Sequence, residues 1–332
     1  MRCSTRKTKT TNRLVAGFAL LTVLAMCGSA QAAVAKIYFT QGNLTNNDLI
    51  WSMNADGSGQ TTVTTSVWTY GIALDEANNK LYFPNHNFEV RSVNTNGTGL
   101  TTLQSTSQRN RGVAVDEVGG NVYFTQDFAH ILKSPLSSWS STLYAQANTN
   151  FVWDVDVDSA NGYLYSMAGS SISNNMEFRR APLSNPSSYT VLNANIGSNG
   201  GGALALDVAN GLVYFAGGSI GVEKANLDGT GLTTIIAPPG GNSFIESIAL
   251  DPDAQQLYIG RRDFSPSNVS RVLRMDTDGT NQVALFSSPL YWGISGIDLE
   301  LAEAVPEPST YALGLIGLAG LGMLAWRRKR GS

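Results

Sequence analysis

Five segments of the chain repeat one short pattern, in which an Asp is followed seven residues later by a Tyr. Successive copies of the Asp are 41, 42, 49 and 44 positions apart. A period of this length is typical of repeat architectures, whose units stack on one another to bury their apolar faces. The repeated residues are Asp75, Asp116, Asp158, Asp207 and Asp251, with Tyr82, Tyr123, Tyr165, Tyr214 and Tyr258.

Each repeat predicts four β-strands. Around the Asp, two runs rich in Val, Ile, Leu, Tyr and Phe flank turn sequences such as Asn-Gly or Gly-Gly, which is the pattern of a hairpin. A second hairpin turn follows in most repeats, as DGSG at 56, NGTG at 96, DGTG at 228 and DGTN at 278. Four strands in about 45 residues are the unit of a β-propeller, so we expect an all-β body.

The two ends of the repeat region each hold half a unit. Near the start, KIYFT supplies Tyr38 with no Asp strand before it, and near the end, GISGIDLE supplies Asp298, 47 positions after Asp251. We expect residues 293–300 to form one strand of a blade whose other three strands lie in residues 36–65. This pairing predicts a closed ring of six blades, without the open sheet edges that invite aggregation.

These motifs resemble the YWTD repeats of the low-density lipoprotein receptor family, which form six-bladed propellers. The resemblance covers residues 36–300, and the Tyr of the motif is present in all six units. The Trp position holds Phe39, Phe83, Phe124, Ser166, Phe215 and Ile259, and the final Asp position holds Gln41, Asn85, Gln126, Ala168, Gly217 and Arg261. The resemblance therefore implies the six-bladed fold, but neither the receptor's Asp contacts between blades nor its lipoprotein ligand.

Residues 1–32 have the features of a secretory signal peptide. A basic start is followed by the uncharged run LVAGFALLTVLAMC and by an Ala-Gln-Ala exit at 30–32. Alternatively, LAMC is a lipoprotein cleavage box that ends at Cys27. Both cysteines, Cys3 and Cys27, lie in this segment, so we expect the exported protein to have no disulfide. The propeller is then expected to occupy residues 33–301.

The charge of the exported part argues against nucleic acid and anionic membrane surfaces as partners. The leader holds five of the 22 Lys and Arg residues, and residues 327–330 hold four more. All 25 Asp and Glu residues lie between these two ends, which gives the intervening chain a net charge near −12. A protein of this charge repels polyanions.

Residues 302–332 have the order of a sorting signal, because a Pro-Glu-Pro break is followed by an uncharged run and a basic cluster. As a helix, the run from Tyr311 to Trp326 would be roughly 24 Å long, slightly less than a bilayer core of about 30 Å. This order resembles the PEP-CTERM sorting signal of Gram-negative bacteria. Its signal residues are Pro306, Glu307, Pro308, Arg327, Arg328, Lys329 and Arg330.

The resemblance to PEP-CTERM signals implies a route and a partner. It implies export across the inner membrane, a membrane-anchored precursor with a transmembrane helix, and cleavage near the Pro-Glu-Pro motif by an exosortase. It also implies a destination at the cell surface or in the extracellular matrix, with a link to exopolysaccharide or biofilm. The alternative is a permanent anchor that spans the membrane once.

The sequence predicts no catalytic residue, no cofactor and no metal. The repeated Asp and Tyr occur in every unit, so we expect them to serve the fold, with the Asp accepting backbone N–H bonds in a turn. His86 and His130 each follow a unit's second strand and are expected to be solvated loop residues. No motif ties a nucleophile to either His, and there is no HExxH motif.

Departures from the repeat predict the ligand site. Two positions before the Asp, the units hold Ala73, Ala114, Asp156, Ala205, Ala249 and Gly296, so one carboxylate stands among small residues. The loops that lead into the inner strands also differ between units, and in a propeller they ring one mouth of the channel. We expect the ligand-binding residues to be Trp68, Tyr70, Arg109, Arg111, Trp153, Asp154, Asp156, Glu246 and Trp292. Such aromatic and polar groups suit a sugar ring or a peptide side chain, although the aromatic residues are alternatively wedges between blades.

Two functions fit this pattern. One is an exported binding or extracellular-matrix protein whose ligand is an exopolysaccharide or a cell-surface protein. The other is a calcium-dependent, lactonase-like hydrolase, in which Asp154, Asp156, Glu246 and Asn110 would converge on the ion. We favour binding, because the sequence shows no activated acid–base pair.

Overall fold

Within the residues that the structure describes, the chain forms twenty-four strands and no helix. The computed structural model describes residues 34–42, 48–66, 69–127, 130–146, 151–169, 175–185, 188–197, 202–218, 220–239, 243–264, 268–289 and 293–302. The predicted signal peptide, the predicted sorting tail, Trp68 and Trp292 lie outside these ranges. No helix of the described part is long and apolar enough to cross a membrane. The described residues fall in one compact unit, Ala33–Ala302.

The strands form six four-stranded antiparallel blades, which confirms the predicted propeller. Blade 1 contains β24 (Ile297–Leu301), β1 (Val34–Gln41), β2 (Asp48–Asn54) and β3 (Thr61–Ser66). Blade 2 contains β4 (Ala73–Asp75), β5 (Lys80–Pro84), β6 (Glu89–Asn94) and β7 (Thr101–Ser105), and blade 3 contains β8 (Asn110–Asp116), β9 (Asn121–Gln126), β10 (His130–Pro135) and β11 (Thr142–Gln146). Blade 4 contains β12 (Phe151–Asp158), β13 (Tyr163–Gly169), β14 (Asn175–Pro182) and β15 (Thr190–Gly197). Blade 5 contains β16 (Gly202–Asp207), β17 (Leu212–Gly217), β18 (Gly221–Asn226) and β19 (Thr233–Ile236), and blade 6 contains β20 (Ser243–Asp251), β21 (Gln256–Asp263), β22 (Val269–Asp276) and β23 (Val283–Ser288).

The ring closes where β24 pairs with β1. The two strands are antiparallel, and Tyr38 lies opposite Asp298. Blade 1 is therefore built from both ends of the repeat region, and the prediction that the C-terminal half-unit completes the first blade is confirmed. Closure of this kind joins the first and last repeats in one blade, so the ring has no gap between them.

The register of the closing pair places the acidic residues of blade 1 differently from the sequence alignment. In blade 4, Tyr165 lies opposite Asp156. In blade 1, Tyr38 lies opposite Asp298, so Asp298 occupies the same position in its blade as Asp156 does in blade 4. Glu300 takes the place of the repeated Asp, and its Oε2 accepts a 2.7 Å hydrogen bond from the Tyr38 hydroxyl.

The expectation that Asp298 is the sixth repeated Asp is therefore wrong. The expectation that Gly296 is the sixth small residue fails with it, since the strand pairing shifts both assignments by two positions. The sequence alignment matched the C-terminal half-unit by its one Asp. The hydrogen-bonded register instead aligns this half-unit through Tyr38, and the register decides which face of the sheet a side chain occupies.

The repeated Asp has the structural role that the sequence predicts. Asp158 Oδ1 accepts the backbone N–H of Asn161 at 2.9 Å, and Asp207 Oδ1 accepts that of Asn210 at 3.2 Å. The side chains of Asp75, Asp116 and Asp251 accept the equivalent bond, in each case from the backbone N–H three positions later. Each bond fixes the turn between the first and second strands of a blade, because it satisfies an N–H that has no ladder partner.

Six apolar clusters hold the ring together, and each is shared by two neighbouring blades. At the seam between blades 1 and 2, for example, Tyr38 and Ile50 pack with Leu81 and Phe83, and all four are almost fully buried. The ring thus has no single core. Its hydrophobic stabilisation is distributed over six seams, so each blade depends on both of its neighbours.

The outer hairpin turns also contact the preceding blade. Gly97, in the turn of blade 2, has a φ of +85°, and a Cβ there would overlap the carbonyl oxygen of Val63 in blade 1. Gly229, in the turn of blade 5, has a φ of +84° and lies in the same way against Leu192 of blade 4. These turns need Gly both for the backbone conformation and for the close approach.

Candidate functional site

The first strands of all six blades enclose a central cavity of about 520 Å³. Small side chains form much of its wall, namely Ala73, Ala114, Ala205 and Ala249, because six strands converge there and leave little room. The volume lies within the range of small-molecule sites, roughly 300–1,000 Å³. The cavity is therefore the candidate functional site.

Two carboxylates of blade 4 project into this cavity and bridge to the next blade. Asp154 Oδ2 accepts a 3.0 Å hydrogen bond from the backbone N–H of Leu204, and Asp156 Oδ2 accepts a 3.2 Å bond from that of Leu206. Both leucines lie on β16 of blade 5. An inner strand is the edge of its sheet, so its channel-facing N–H groups have no ladder partner, and these carboxylates supply one.

Asp298 makes the same bridge between blades 1 and 2. Its Oδ2 accepts a 2.7 Å bond from the backbone N–H of Leu74, and its Oδ1 accepts a 2.8 Å bond from that of Leu299. Asp298 was not among the predicted site residues. The signal that would have found Asp298 is Tyr38, the equivalent in blade 1 of the repeated Tyr, because its pairing fixes the register of the closing strand.

Burial raises the pKa of all three carboxyl groups. The pKa of Asp154 is raised to about 7, that of Asp298 to about 7 and that of Asp156 to about 6. Water reaches part of each side chain, but protein surrounds the channel, and the resulting loss of hydration outweighs the backbone N–H bonds, which favour the charged form. The negative charge of Asp156 further raises the pKa of Asp298. The charge of the cavity consequently changes in the neutral range of pH.

Arg111 forms one side of the rim and lies within an aromatic cage. Its guanidinium is 4.3 Å from the ring centre of Trp153 and 5.2 Å from those of Tyr70 and Phe151. Its Nε donates a 2.7 Å bond to Asp127 Oδ1. The cage and the ion pair together fix the plane of the guanidinium, which favours directional hydrogen bonding to a ligand.

Arg262 forms a similar arrangement on the rim at blade 6. Its guanidinium lies 4.4 Å from the ring centre of Phe264 and 5.9 Å from that of Phe244, and its Nη2 is 2.6 Å from Glu246 Oε1. Burial raises the pKa of Glu246, although the charge of Arg262 opposes this shift. Because blades 3 and 6 face each other in a ring of six, the two caged arginines lie on opposite sides of the mouth.

Six of the predicted ligand-binding residues line the cavity together: Tyr70, Arg111, Trp153, Asp154, Asp156 and Glu246. Arg109 lies outside its lining, and the carbonyl oxygen of Arg109 accepts the backbone N–H of Asp127. Trp68 and Trp292 belong to the undescribed residues. The structure adds Arg262, which the sequence did not reveal because it lies near the end of β21, the second strand of its blade, rather than before the first strand.

The two readings of the aromatic residues both apply to Trp153. Its ring packs against the apolar cluster between blades 4 and 5, as a wedge between blades would. The same ring lines the cavity and carries the Arg111 guanidinium. Trp153 is therefore shared between blade packing and the rim.

His86 is not the solvated loop residue that the sequence led us to expect. Its ring lies 4.5 Å from that of Tyr70, and the side chain is half-buried. Burial, together with the positive charges of Arg109 and Arg111, lowers the pKa of His86 to about 4. The imidazole is neutral at physiological pH and supports the rim as a flat, uncharged ring. His130 begins β10 and does not line the cavity.

The described acidic residues do not form a metal site. Within the described ranges, no three His, Cys, Asp or Glu side chains lie close enough to hold an ion. Asn110, the fourth residue of the calcium hypothesis, donates its side-chain N–H to Thr106 Oγ1 and lies outside the cavity lining. Glu246 is paired with Arg262. These residues therefore do not fit the ion that the lactonase-like alternative needs.

One segment, GGSIG at 217–221, matches the G-x-S-x-G pattern of a hydrolase nucleophile elbow. It connects β17 to β18, and Gly217 pairs with Gly221 across the hairpin. A nucleophile elbow joins a strand to a helix, so this string lacks the required context.

Comparison with known proteins identifies the C-terminal segment. Residues 304–330 match the PEP-CTERM protein-sorting motif. The motif implies export, membrane anchoring through a C-terminal segment in Gram-negative bacteria, and processing by an exosortase-type enzyme. The protein is an exported β-propeller that carries a PEP-CTERM sorting motif. No protein of curated function matches the chain in sequence.

Solved structures share the fold at low sequence identity. A chain of the nidogen/laminin complex has a TM-score of 0.64 at 12% identity, with 80% of this chain and 98% of that one covered. TolB from Acinetobacter baumannii has a TM-score of 0.64 at 14% identity, with 84% and 70% covered. A gluconolactonase from Xanthomonas campestris has a TM-score of 0.55 at 15% identity, with 78% and 88% covered. Because these proteins differ in function, the likeness establishes the propeller and not its ligand.

Proposed function

We propose that this exported propeller is a binding protein of the cell surface or extracellular matrix, and that its ligand is a glycan held in the central cavity. The observation that carries the proposal is the rim, where two arginines lie over aromatic rings on opposite sides of a cavity of about 520 Å³. Planar donors beside aromatic faces suit the hydroxyl groups and apolar faces of sugar rings.

The asymmetry of the cavity supports a specific ligand rather than a purely structural channel. The wall has carboxylates in blades 1 and 4 and alanines at the equivalent level in the others. A residue that serves only the fold would recur in each blade, as the repeated Asp does. Carboxylates that already accept one N–H can also accept a sugar hydroxyl, because each oxygen has two lone pairs.

The sorting signal supports the location. A PEP-CTERM precursor is delivered to the outside of the cell, where an acidic, exported propeller meets polysaccharide and the surfaces of other cells. Exopolysaccharide or biofilm matrix is therefore the proposed setting, and a cell-surface protein that presents a glycan is a second source of the same ligand.

A glycan and peptide array with the full chain, purified in detergent, tests the proposal. We expect binding to a restricted set of glycans. The dissociation constant for each bound glycan is then measured by calorimetry. The Arg111→Met variant, which keeps the length of the side chain without its charge or donors, should weaken binding at least tenfold. Arg180→Met is the matched control, since Arg180 is stacked 4.5 Å from the ring of Tyr163 and does not line the cavity.

Three results would contradict the proposal. The first is an array with no bound glycan. The second is equal affinity of the wild-type protein and Arg111→Met for the bound glycan, with both proteins folded by circular dichroism. The third is an equal loss of affinity in Arg180→Met, which would mean that Arg111 acts through the general stability of the ring.

A further inference from the structure

Every positive charge that lines the cavity already has an acidic partner. Arg111 is paired with Asp127, and Arg262 is paired with Glu246. Each pair is close to electrically neutral as seen from the cavity, and each guanidinium is also covered by aromatic rings. The rim thus offers hydrogen-bond donors, but little net positive charge to attract an anion.

The carboxylates deeper in the cavity have no such compensation. None of the ion pairs between described residues involves Asp154, Asp156 or Asp298. Their hydrogen-bond donors are backbone N–H groups, which carry only partial charges. When ionised, the three groups therefore give the cavity an excess of negative charge.

Two of these carboxylates face each other across the cavity. Asp156 belongs to blade 4 and Asp298 to blade 1, which are opposite in a ring of six. They stand at the same depth, because each lies opposite the repeated Tyr of its blade. The alanines of the other blades leave free space between them at this level.

We infer that the site selects its ligand by charge, so that it binds a sugar bearing a primary amine and rejects a sugar bearing a carboxylate. The inference rests on the proposed function, since it requires that the ligand enters this cavity. The specificity-determining residues are Asp156 and Asp298, with Asp154 nearer the rim. An ammonium group has three N–H donors and matches carboxylate oxygens that each retain an unused lone pair. A ligand carboxylate would instead add a further negative charge beside carboxylates that have no cationic partner among the described residues.

The test uses sugars that differ only at C6. For each of the gluco, galacto and manno configurations, the 6-amino-6-deoxy sugar, the parent sugar and the uronic acid place an ammonium, a hydroxyl and a carboxylate at one position. Titrations with the full chain are done at pH 8, where the primary amine is charged like that of lysine and the channel carboxyls are ionised. In at least one configuration, we expect the amine to bind at least tenfold more tightly than the parent sugar and the uronate to bind most weakly.

The Asp156→Asn/Asp298→Asn double variant removes both charges but keeps an acceptor at each position. We expect the preference for the amine to fall at least tenfold and binding of the parent sugar to change little. The matched control is Asp228→Asn/Asp278→Asn, which changes the net charge equally in two exposed hairpin turns. Asn is compatible with these turns, because Asn96 makes the same bond in blade 2.

The outcomes separate this inference from the proposed function. Equal binding of amine and uronate, an amine preference that survives in the double variant, or no binding of any of the nine sugars would overturn the charge selection. If Arg111→Met still weakens binding of a glycan found on the array in those cases, the proposed function stands without the charge selection. If Arg111→Met also leaves the affinity for that glycan unchanged, both the charge selection and the proposed function fail.

Discussion

The backbone N–H of Leu74 donates a 2.7 Å hydrogen bond to the Asp298 carboxylate, and this bond joins the strand that closes the ring to the first strand of blade 2. Asp154 and Asp156 make equivalent bonds between blades 4 and 5. The acidic residues of the cavity therefore serve the seams of the ring as well as the candidate ligand site. Their ionisation is consequently coupled to the stability of the fold.

We expect the free energy of unfolding to decrease as the pH rises from about 4 to about 7. The pKa values of Asp154 and Asp298 are raised to about 7 and that of Asp156 to about 6, above the value of about 3.9 in an unfolded chain. Below pH 4 both states are protonated and the stabilisation is fully present. Between pH 4 and 7 the unfolded chain releases protons that the folded state retains, so stability falls, and above pH 7 it changes no further from this cause.

Urea unfolding at pH 4, 5, 6, 7 and 8 measures this effect. The wild-type protein should lose on the order of a few kcal/mol across the window, and the Asp154→Asn/Asp156→Asn/Asp298→Asn variant should lose much less. Asp228→Asn/Asp278→Asn is the control, because the pKa values of Asp228 and Asp278 are lowered and these groups titrate below the window. Parallel pH profiles of the wild-type protein and the triple variant would show that these carboxyls are not the cause.

Gly97→Ala should destabilise the ring more than Gly120→Ala. Both residues have positive φ, +85° and +66°, so both substitutions impose the strain of a left-handed conformation, about 1–2 kcal/mol. Only at Gly97 would the new Cβ also overlap the carbonyl oxygen of Val63 in blade 1, whereas no atom lies within 4 Å of a Cβ at Gly120. Denaturant unfolding of the two variants measures the difference, which we expect to be at least about 1 kcal/mol. Equal losses would mean that the turn does not lock the two blades together.

The fold was predictable because its signals are local and repeated. The Asp of each complete unit closes a turn to a residue three positions away, and the paired strands follow directly in sequence. Such contacts are visible in one window of the chain. Ring closure was also predictable. The first half-unit, with Tyr38, lacks an inner strand, and the last half-unit, with Asp298, supplies one.

The candidate site was predictable only in part, because its geometry depends on contacts between distant residues. Trp153, Asp154 and Asp156 were found as departures from the repeat. Asp298 was mistaken for a turn residue, because its register is set by pairing with β1, which lies 260 positions earlier in the chain. The pairing of Arg111 with Asp127 and the caging of both arginines have no signature in sequence spacing.

The sorting signal should be required for processing in the native host. Replacing Pro306 and Glu307 by Ala, or residues 327–330 by Gln, is expected to stop cleavage and to retain the precursor in the membrane. The basic cluster is needed because it holds the end of the apolar segment on the cytoplasmic side. Immunoblots of membrane and extracellular fractions report the size and location of the protein. A Ser309→Ala variant is the control. Normal cleavage of both signal variants would mean that these residues are not part of the signal, whereas a wild-type protein that stays uncleaved in the membrane would favour the permanent anchor.

Deleting the closing strand should open the ring. Removal of residues 293–300 takes away most of β24, the Asp298 bridge to Leu74 and the Glu300 bond to Tyr38, and it exposes the edge of β1. Ile294, Ile297 and Leu299, which pack between blades 6 and 1, are lost as well. Each buried apolar side chain contributes about 1.5–3 kcal/mol, so their combined loss is comparable to the whole stability of an ordinary domain. We expect the deleted protein to unfold at a much lower temperature and to aggregate through its open edge.

A second deletion isolates the effect of the strand from that of the tail. Removing residues 303–332 leaves every described strand of the ring intact, so its melting temperature should stay within a degree or two of that of the full chain. Differential scanning calorimetry compares the three proteins. If the chain without residues 293–300 melts as the chain without its tail does, β24 contributes nothing to closure, and the ring is held by the other five seams alone.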